Sequence, residues 1–222
     1  MIIVDGQSRF SREDVDQWMI KKGRKAGGKR MSALDSLKGD LDPLTKRIIF
    51  TAIFTSELEK EGCSPVAAGD YAVELYTSGE YKADGVDVIV PAGKAQKVLQ
   101  QLDFMQDGSV WVNSDIDMTV RIVNESLGDE QLKRVNQIDV SGASVYLLGL
   151  EDTILAKLRD FAFKHEVAAS TWAQELVEAH PGEIDWEYLK ANAEKEVMVA
   201  LEGLIGELGI EEEEDERFKA KY

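Results

Sequence analysis

The sequence predicts an α/β protein of the α+β kind, a mixed sheet core flanked by helices at both ends, and three observations carry that expectation. Apolar residues recur at helical spacing before residue 62 and after residue 149, and short alternating or continuous apolar runs fill the stretch between. At 222 residues, with 44% hydrophobic and 31% charged content, the chain is long enough for one core with helical additions. Glycines mark several of the changes of period, as at Gly62, Gly69 and Gly149.

In chain order, Ser11 and Asp14 have capping-box-like spacing, and Phe10 and Val15 sit at staple positions, so a first helix is expected from Ser11 to about Gly23. A second starts after Asp42 with Pro43 at its first position and runs to about Gly62, with Ile48, Ile49, Ala52, Ile53 and Leu58 apolar. Residues 1–64 form this helical lead-in. A core over 65–147 then opens with a short strand in PVAA, a helix over YAVELYT and a strand over VDVIV. Pro91 begins another helix, AGKAQKVLQQL. Strand-like runs follow at Ser109–Val112, Ile116–Val123, Val135–Val140 and Ser144–Leu147. Residues 148–210 return to helix, with Leu150, Ile154, Leu155, Leu158, Phe161 and Ala162 on one face, then Thr171–Ala179 and Trp186–Leu204. EEEEDE in the 211–222 tail is a like-charge block with the character of a solvated end.

The bulk numbers exclude several function classes. Cys63 is the only cysteine, so neither an internal disulfide nor a zinc cluster is expected, and a reducing cytoplasm is the default compartment. MIIVDGQSRF lacks the basic start and apolar length of a signal peptide, and no run is long enough to span a membrane. A net charge of −16 repels nucleic-acid backbones. One basic patch, Lys21 to Arg30, is interleaved with glycines in the manner of a solvated loop.

The chemistry-bearing segment is AAGDYAVELYTSGEYKADGVDVIV, residues 67–90. Gly69 at a strand-to-helix turn lets backbone amides approach a phosphate, and the helix N-terminus that follows favours an anion. Asp84 and Asp87 at the start of the next strand are carboxylates of the kind that hold Mg²⁺ against a triphosphate. Along DIDMTVRIV, residues 115–123, alternation places Asp115, Asp117, Thr119 and Arg121 on one face. Either Asp117 or Arg121 can face Asp87 from this strand, and an Arg121 facing Asp87 means a charge pair where a metal would sit. His180, before Pro181, has the character of a helix end, and Trp172, Trp186 and Tyr188 that of packing residues.

Gly69, AVELYT at 72–77, Gly79 and Tyr81 resemble the DNA polymerase beta-like nucleotidyltransferases, particularly their minimal, antitoxin-type members. The resemblance extends to Leu148-Gly149-Leu150-Glu151-Asp152 and to IDWEYLKANAEKE, about two thirds of the chain. It implies transfer of a nucleoside monophosphate from an NTP to a protein or RNA hydroxyl, with Mg²⁺ on Asp87, Asp84 and Asp117 as the catalytic carboxylates. Gly69, Asp70, Thr77, Tyr81 and Lys157 would then contact the nucleotide. The motif is degenerate: Asp70 stands at the second small position of the turn, Ala83 replaces the threonine, and Asp84-Gly85-Val86-Asp87 replaces Gly-Asp-hydrophobic-Asp. A rival expectation follows, a fold retained without catalysis that binds a partner protein as an antitoxin-like or regulatory subunit.

Overall fold

The computed structural model describes residues 34–140 and 142–210, and the backbone of 3–4 and 7–8. The helix expected over Ser11–Gly23, the basic patch and the acidic tail lie outside the described residues. The chain divides into two compact units, 1–153 and 154–222.

In the first unit, strands β1 (Ile3–Val4) and β2 (Gln7–Ser8) pair antiparallel, and a 3₁₀ turn follows at Asp35–Lys38. Helix α1 spans Pro43–Lys60; its N-cap, Asp42, accepts the Thr45 N–H at 2.9 Å, and Pro43 costs nothing where no helical donor is needed. The chain continues through β3 (Val66–Ala67), α2 (Gly69–Tyr76), β4 (Val86–Ile89), α3 (Ala92–Gln101), β5 (Met105–Asp107), β6 (Val110–Asn113) and β7 (Met118–Asn124). It then forms α4 (Asp129–Lys133), β8 (Asn136–Val140), β9 (Ala143–Leu147) and the first turn of α5 (Leu150–Lys164).

Seven strands make one mixed sheet in the order β5-β6-β7-β4-β3-β9-β8. The pairs β4/β7 and β3/β9 are parallel, and the others are antiparallel. Central β4 is buried at all four residues, which explains its continuous rather than alternating sequence. Helix α1 packs on β9 and against α3, and Phe50 contacts Phe54 and Phe104 with ring centroids 5.7 and 5.2 Å apart. Between α1 and α2 lies a buried polar network. Arg47 Nε donates to Glu74 Oε2 at 2.8 Å and Nη2 to Oε1, while Thr51 Oγ1 donates to the hydroxyl of the fully buried Tyr71 at 3.1 Å.

The second unit holds the rest of α5 with α6 (Val167–Ala179), α7 (Trp186–Asn192) and α8 (Lys195–Glu207). The helical run expected from Trp186 to Leu204 is two helices. Ala193 and Glu194 are extended, and the Glu194 carboxylate takes a bidentate bond from Arg159 Nε at 2.9 and 3.0 Å. Among the described residues, no helix is long and apolar enough to cross a membrane.

Candidate functional site

The site is built where β4 meets the start of α2. Asp87 lies in the middle of β4, its backbone buried by pairing on both sides, and its Cα partner across the parallel pair is Arg121 of β7. The Asp87 side chain is only 5% exposed. Its Oδ1 accepts from Arg121 Nε at 2.6 Å and its Oδ2 from Arg121 Nη2 at 3.2 Å, a fork-on-fork pairing. Oδ2 also accepts the Asp70 backbone N–H at 3.2 Å.

Two glycines make this close approach feasible. Gly69 has φ +55°, and a Cβ built there would lie 2.6 Å from Asp87 Oδ2. Gly85 precedes β4 and is covered by β7: a Cβ there would meet Thr119 Oγ1 at 2.1 Å and the Thr119 carbonyl at 2.8 Å. Thr119 Oγ1 donates to the Asp84 carbonyl at 3.1 Å, which fixes the threonine over the glycine. Each motif position on this edge is thereby filled from one strand, Gly85 by Thr119 and Asp87 by Arg121.

Electrostatics follow from burial and from three neighbouring carboxylates. Burial raises the Asp87 carboxyl above the usual aspartate range, and the Arg121 guanidinium offsets part of that rise. The bond to Asp87 in turn holds Arg121 firmly charged, with Asp70 and Asp84 adding to the effect. Burial, and then the adjacent Asp70 carboxylate to which it is hydrogen-bonded, push the Tyr81 phenol well above its ordinary range, so it remains protonated as a donor.

Of the residues singled out in the sequence, Gly69, Asp70, Tyr81, Asp84 and Asp87 are brought together at this edge, with Arg121 as the cation among them. Asp84 is exposed, as expected of a residue ahead of a strand. Thr77 caps the end of α2, donating to the Val73 carbonyl at 2.8 Å and accepting the Tyr81 N–H at 3.1 Å, and thereby holds the turn that carries Tyr81. Asp117 lies elsewhere. The alternation expected from Asp115 begins only at Met118: Asp117 has φ +48° in the β6–β7 turn, exposed, and Asp115 pairs with Lys38 at 3.5 Å. Four residues before Arg121, Asp117 is on the order of 10 Å along the sheet from Asp87. Of the two residues able to face Asp87 from this strand, the structure places Arg121 there. Lys157 belongs to the second unit, buried, its ammonium 3.3 Å from Asp160.

The residues at the edge do not suit Mg²⁺. A hard cation needs several oxygen ligands in near-octahedral array, whereas both Asp87 oxygens are engaged by donors and a guanidinium stands beside them. Among the described residues, no group of three His, Cys, Asp or Glu is arranged to hold a metal ion.

No protein-family model and no curated protein sequence matches the chain. Solved structures do. The crystal structure of an antigenic nucleotidyltransferase-like protein from Paracoccidioides brasiliensis superposes with a TM-score of 0.51 at 12% identity, over 71% of this chain and 86% of that one. The fold is nucleotidyltransferase-like. A structure of ANT(2")-Ia in complex with adenylyl-2"-tobramycin is more distant, with a TM-score of 0.44 at 13% identity over 76% of this chain and 99% of that one. Within the nucleotidyltransferase-like fold, the mixed sheet sets β4 and β7 side by side and in parallel, and that pairing brings Arg121 onto Asp87. Sequence reasoning named Arg121 as one of two options but did not find Thr119's part; the glycine at 85 beside a strand was the available signal.

Proposed function

We propose that this chain is a catalytically degenerate nucleotidyltransferase-fold protein that acts by binding a partner, in the manner of an antitoxin-type or regulatory subunit. The bidentate Asp87–Arg121 pair carries this reading. A carboxylate that is buried and paired with the chain's own guanidinium is withdrawn from metal binding, and Asp70 adds negative charge at the turn where a triphosphate would lie. The lone Cys63 and the lack of a membrane-crossing helix among the described residues accord with a cytoplasmic setting.

The alternative is a nucleotidyltransferase acting on a protein or RNA hydroxyl, with Asp87, Asp84 and Asp117 around Mg²⁺ and an NTP. Calorimetric titration of the protein with ATP, GTP, CTP and UTP, with and without Mg²⁺, separates the two, alongside incubation with α-labelled NTPs. The degenerate reading expects neither binding nor label transfer. Mg²⁺-dependent nucleotide binding that disappears in Asp87→Ala would establish the transferase instead.

A further inference from the structure

We propose that the open face of strands β5, β6 and β7 is the docking surface for a cationic partner protein, one that presents an apolar patch rimmed by Lys or Arg. The inference rests on the partner-binding reading above and adds where that partner lies and what chemistry it carries.

Strand register assembles this surface from residues far apart in the chain. Directly paired residues point to the same side of a sheet, so two rows of side chains cross four strands. One row is Met105, Val112, Thr119 and Gly85, and the other is Asp107, Val110, Arg121 and Asp87. The row between them, Trp111, Val120 and Val86, points the opposite way and is buried. On the open side Met105 is 74% exposed, Asp107 is exposed, and Val110, Val112, Thr119 and Arg121 are half-buried. A half-buried antiparallel strand normally turns polar residues to water, whereas here Met105, Val110 and Val112 adjoin one another on that side. The same face is closed over the other half of the sheet. Ile89, two residues beyond Asp87 on β4, and its β3 partner Val66 are buried, with Leu127, Val135 and Tyr146 packed against them. The chain thus seals one half of this face with its own side chains and leaves the β5-β6-β7 half apolar, the character of a surface that another chain covers.

Charge decides what covers it. In the two rows the sole cation is Arg121, and its fork is closed on Asp87. Asp107 stands at the β5 margin, while Asp70, bonded to Asp87, and Asp84, bonded to Thr119, stand at the β4 margin. From β5 to β4 is three strand spacings, about 14 Å, so carboxylates flank the apolar centre on two sides. A second copy would bring the same carboxylates to the face, and the net charge of −16 opposes it as it opposes a phosphate backbone. Lys or Arg around a partner's apolar patch would meet these carboxylates, with their alkyl stems lying along Met105 and Val112.

The test uses the full chain and, as probe, a synthetic amphipathic helix of leucine and lysine, with a leucine–glutamate helix and a glutamine–lysine helix as comparisons. Binding is read by fluorescence anisotropy at low and high salt, and the contact surface by amide chemical shifts of the isotope-labelled protein. The leucine–lysine helix is expected to bind and to shift amides of β5, β6 and β7, and the other two to bind at least about tenfold more weakly. Met105→Lys should weaken binding about tenfold. Asp107→Lys should weaken it about fivefold at low salt and less at high salt. Both residues are exposed, so neither change disturbs the core, and Leu132→Lys, exposed on α4 and outside the two rows, should bind as the wild type does. Equal binding of the glutamate helix, an equal loss in Leu132→Lys, or shifts centred away from these strands would overturn the proposal. So would self-association in sedimentation velocity that Met105→Lys abolishes, which assigns the face to a second copy, or a labelled RNA that competes with the peptide for it. If no helix binds and the titration also finds no nucleotide bound, this surface is overturned while the partner reading stands; Mg²⁺-dependent nucleotide binding overturns the reading itself.

Discussion

The guanidinium of Arg121 grips both oxygens of Asp87, at 2.6 and 3.2 Å, from the position directly opposite in a parallel strand pair. A buried carboxylate and a partly exposed arginine share one fork, and the strand that supplies the arginine also supplies Thr119 to close the neighbouring glycine.

The first consequence is a pH dependence with a definite sign. Because burial raises the folded-state carboxyl of Asp87 above its ordinary value of 3.8, the folded chain holds this proton more tightly than the unfolded chain. The group's stabilising contribution is therefore complete below the ordinary aspartate range and is lost as pH rises through the folded value. Asp87→Asn removes the term, so its stability relative to wild type should improve between about pH 4 and pH 7. Urea unfolding of both proteins across that interval checks it; a difference that stays flat or runs the other way would sink the assignment.

A second prediction concerns Gly85. A methyl group there overlaps both the hydroxyl and the carbonyl of Thr119, at 2.1 and 2.8 Å, so Gly85→Ala should destabilise by about 2–3 kcal/mol. Adding Thr119→Ala removes only the side-chain clash. The double variant should therefore recover part of the loss and not all of it, as read by denaturant midpoints.

Gly69 is tested separately, because two effects combine. Its φ of +55° disfavours any side chain, and a Cβ would press on Asp87 Oδ2. Gly69→Ala should cost about 2 kcal/mol or more. In hydrogen exchange, the Asp70 amide should lose protection ahead of the rest of α2, since the bond to Asp87 is the contact displaced.

The Arg47–Glu74 pair gives a fourth expectation. Their side chains are 10% and 1% exposed, so Glu74→Ala strands a guanidinium between α1 and α2. A loss of about 3–5 kcal/mol is expected. Arg47→Met/Glu74→Leu, which removes both charges and keeps the volume, should be milder than either single alanine change, and a double-variant cycle measured by unfolding tests that order.

The sequence by itself determined the local elements. Asp42 and Pro43 started α1 where capping chemistry put it, and the order strand, helix, strand through PVAA, YAVELYT and VDVIV followed from changes of apolar period. These signals lie within a few residues of what they specify. Strand β5 had no such signal, because Met105, Gln106 and Asp107 form an exposed edge and carry no alternation. The turn at Asp117 was equally silent: a positive φ in an aspartate ended a pattern that the sequence alone would have continued through it. Only the tertiary structure decided that Arg121, and not Asp117, meets Asp87. Register between β4 and β7 joins residues more than thirty positions apart, and it is fixed by burial on both sides of β4 and by the glycine–threonine contact beside it. The carboxylate was legible in the chain; the cation that occupies it was a matter of which residue the sheet placed across from it.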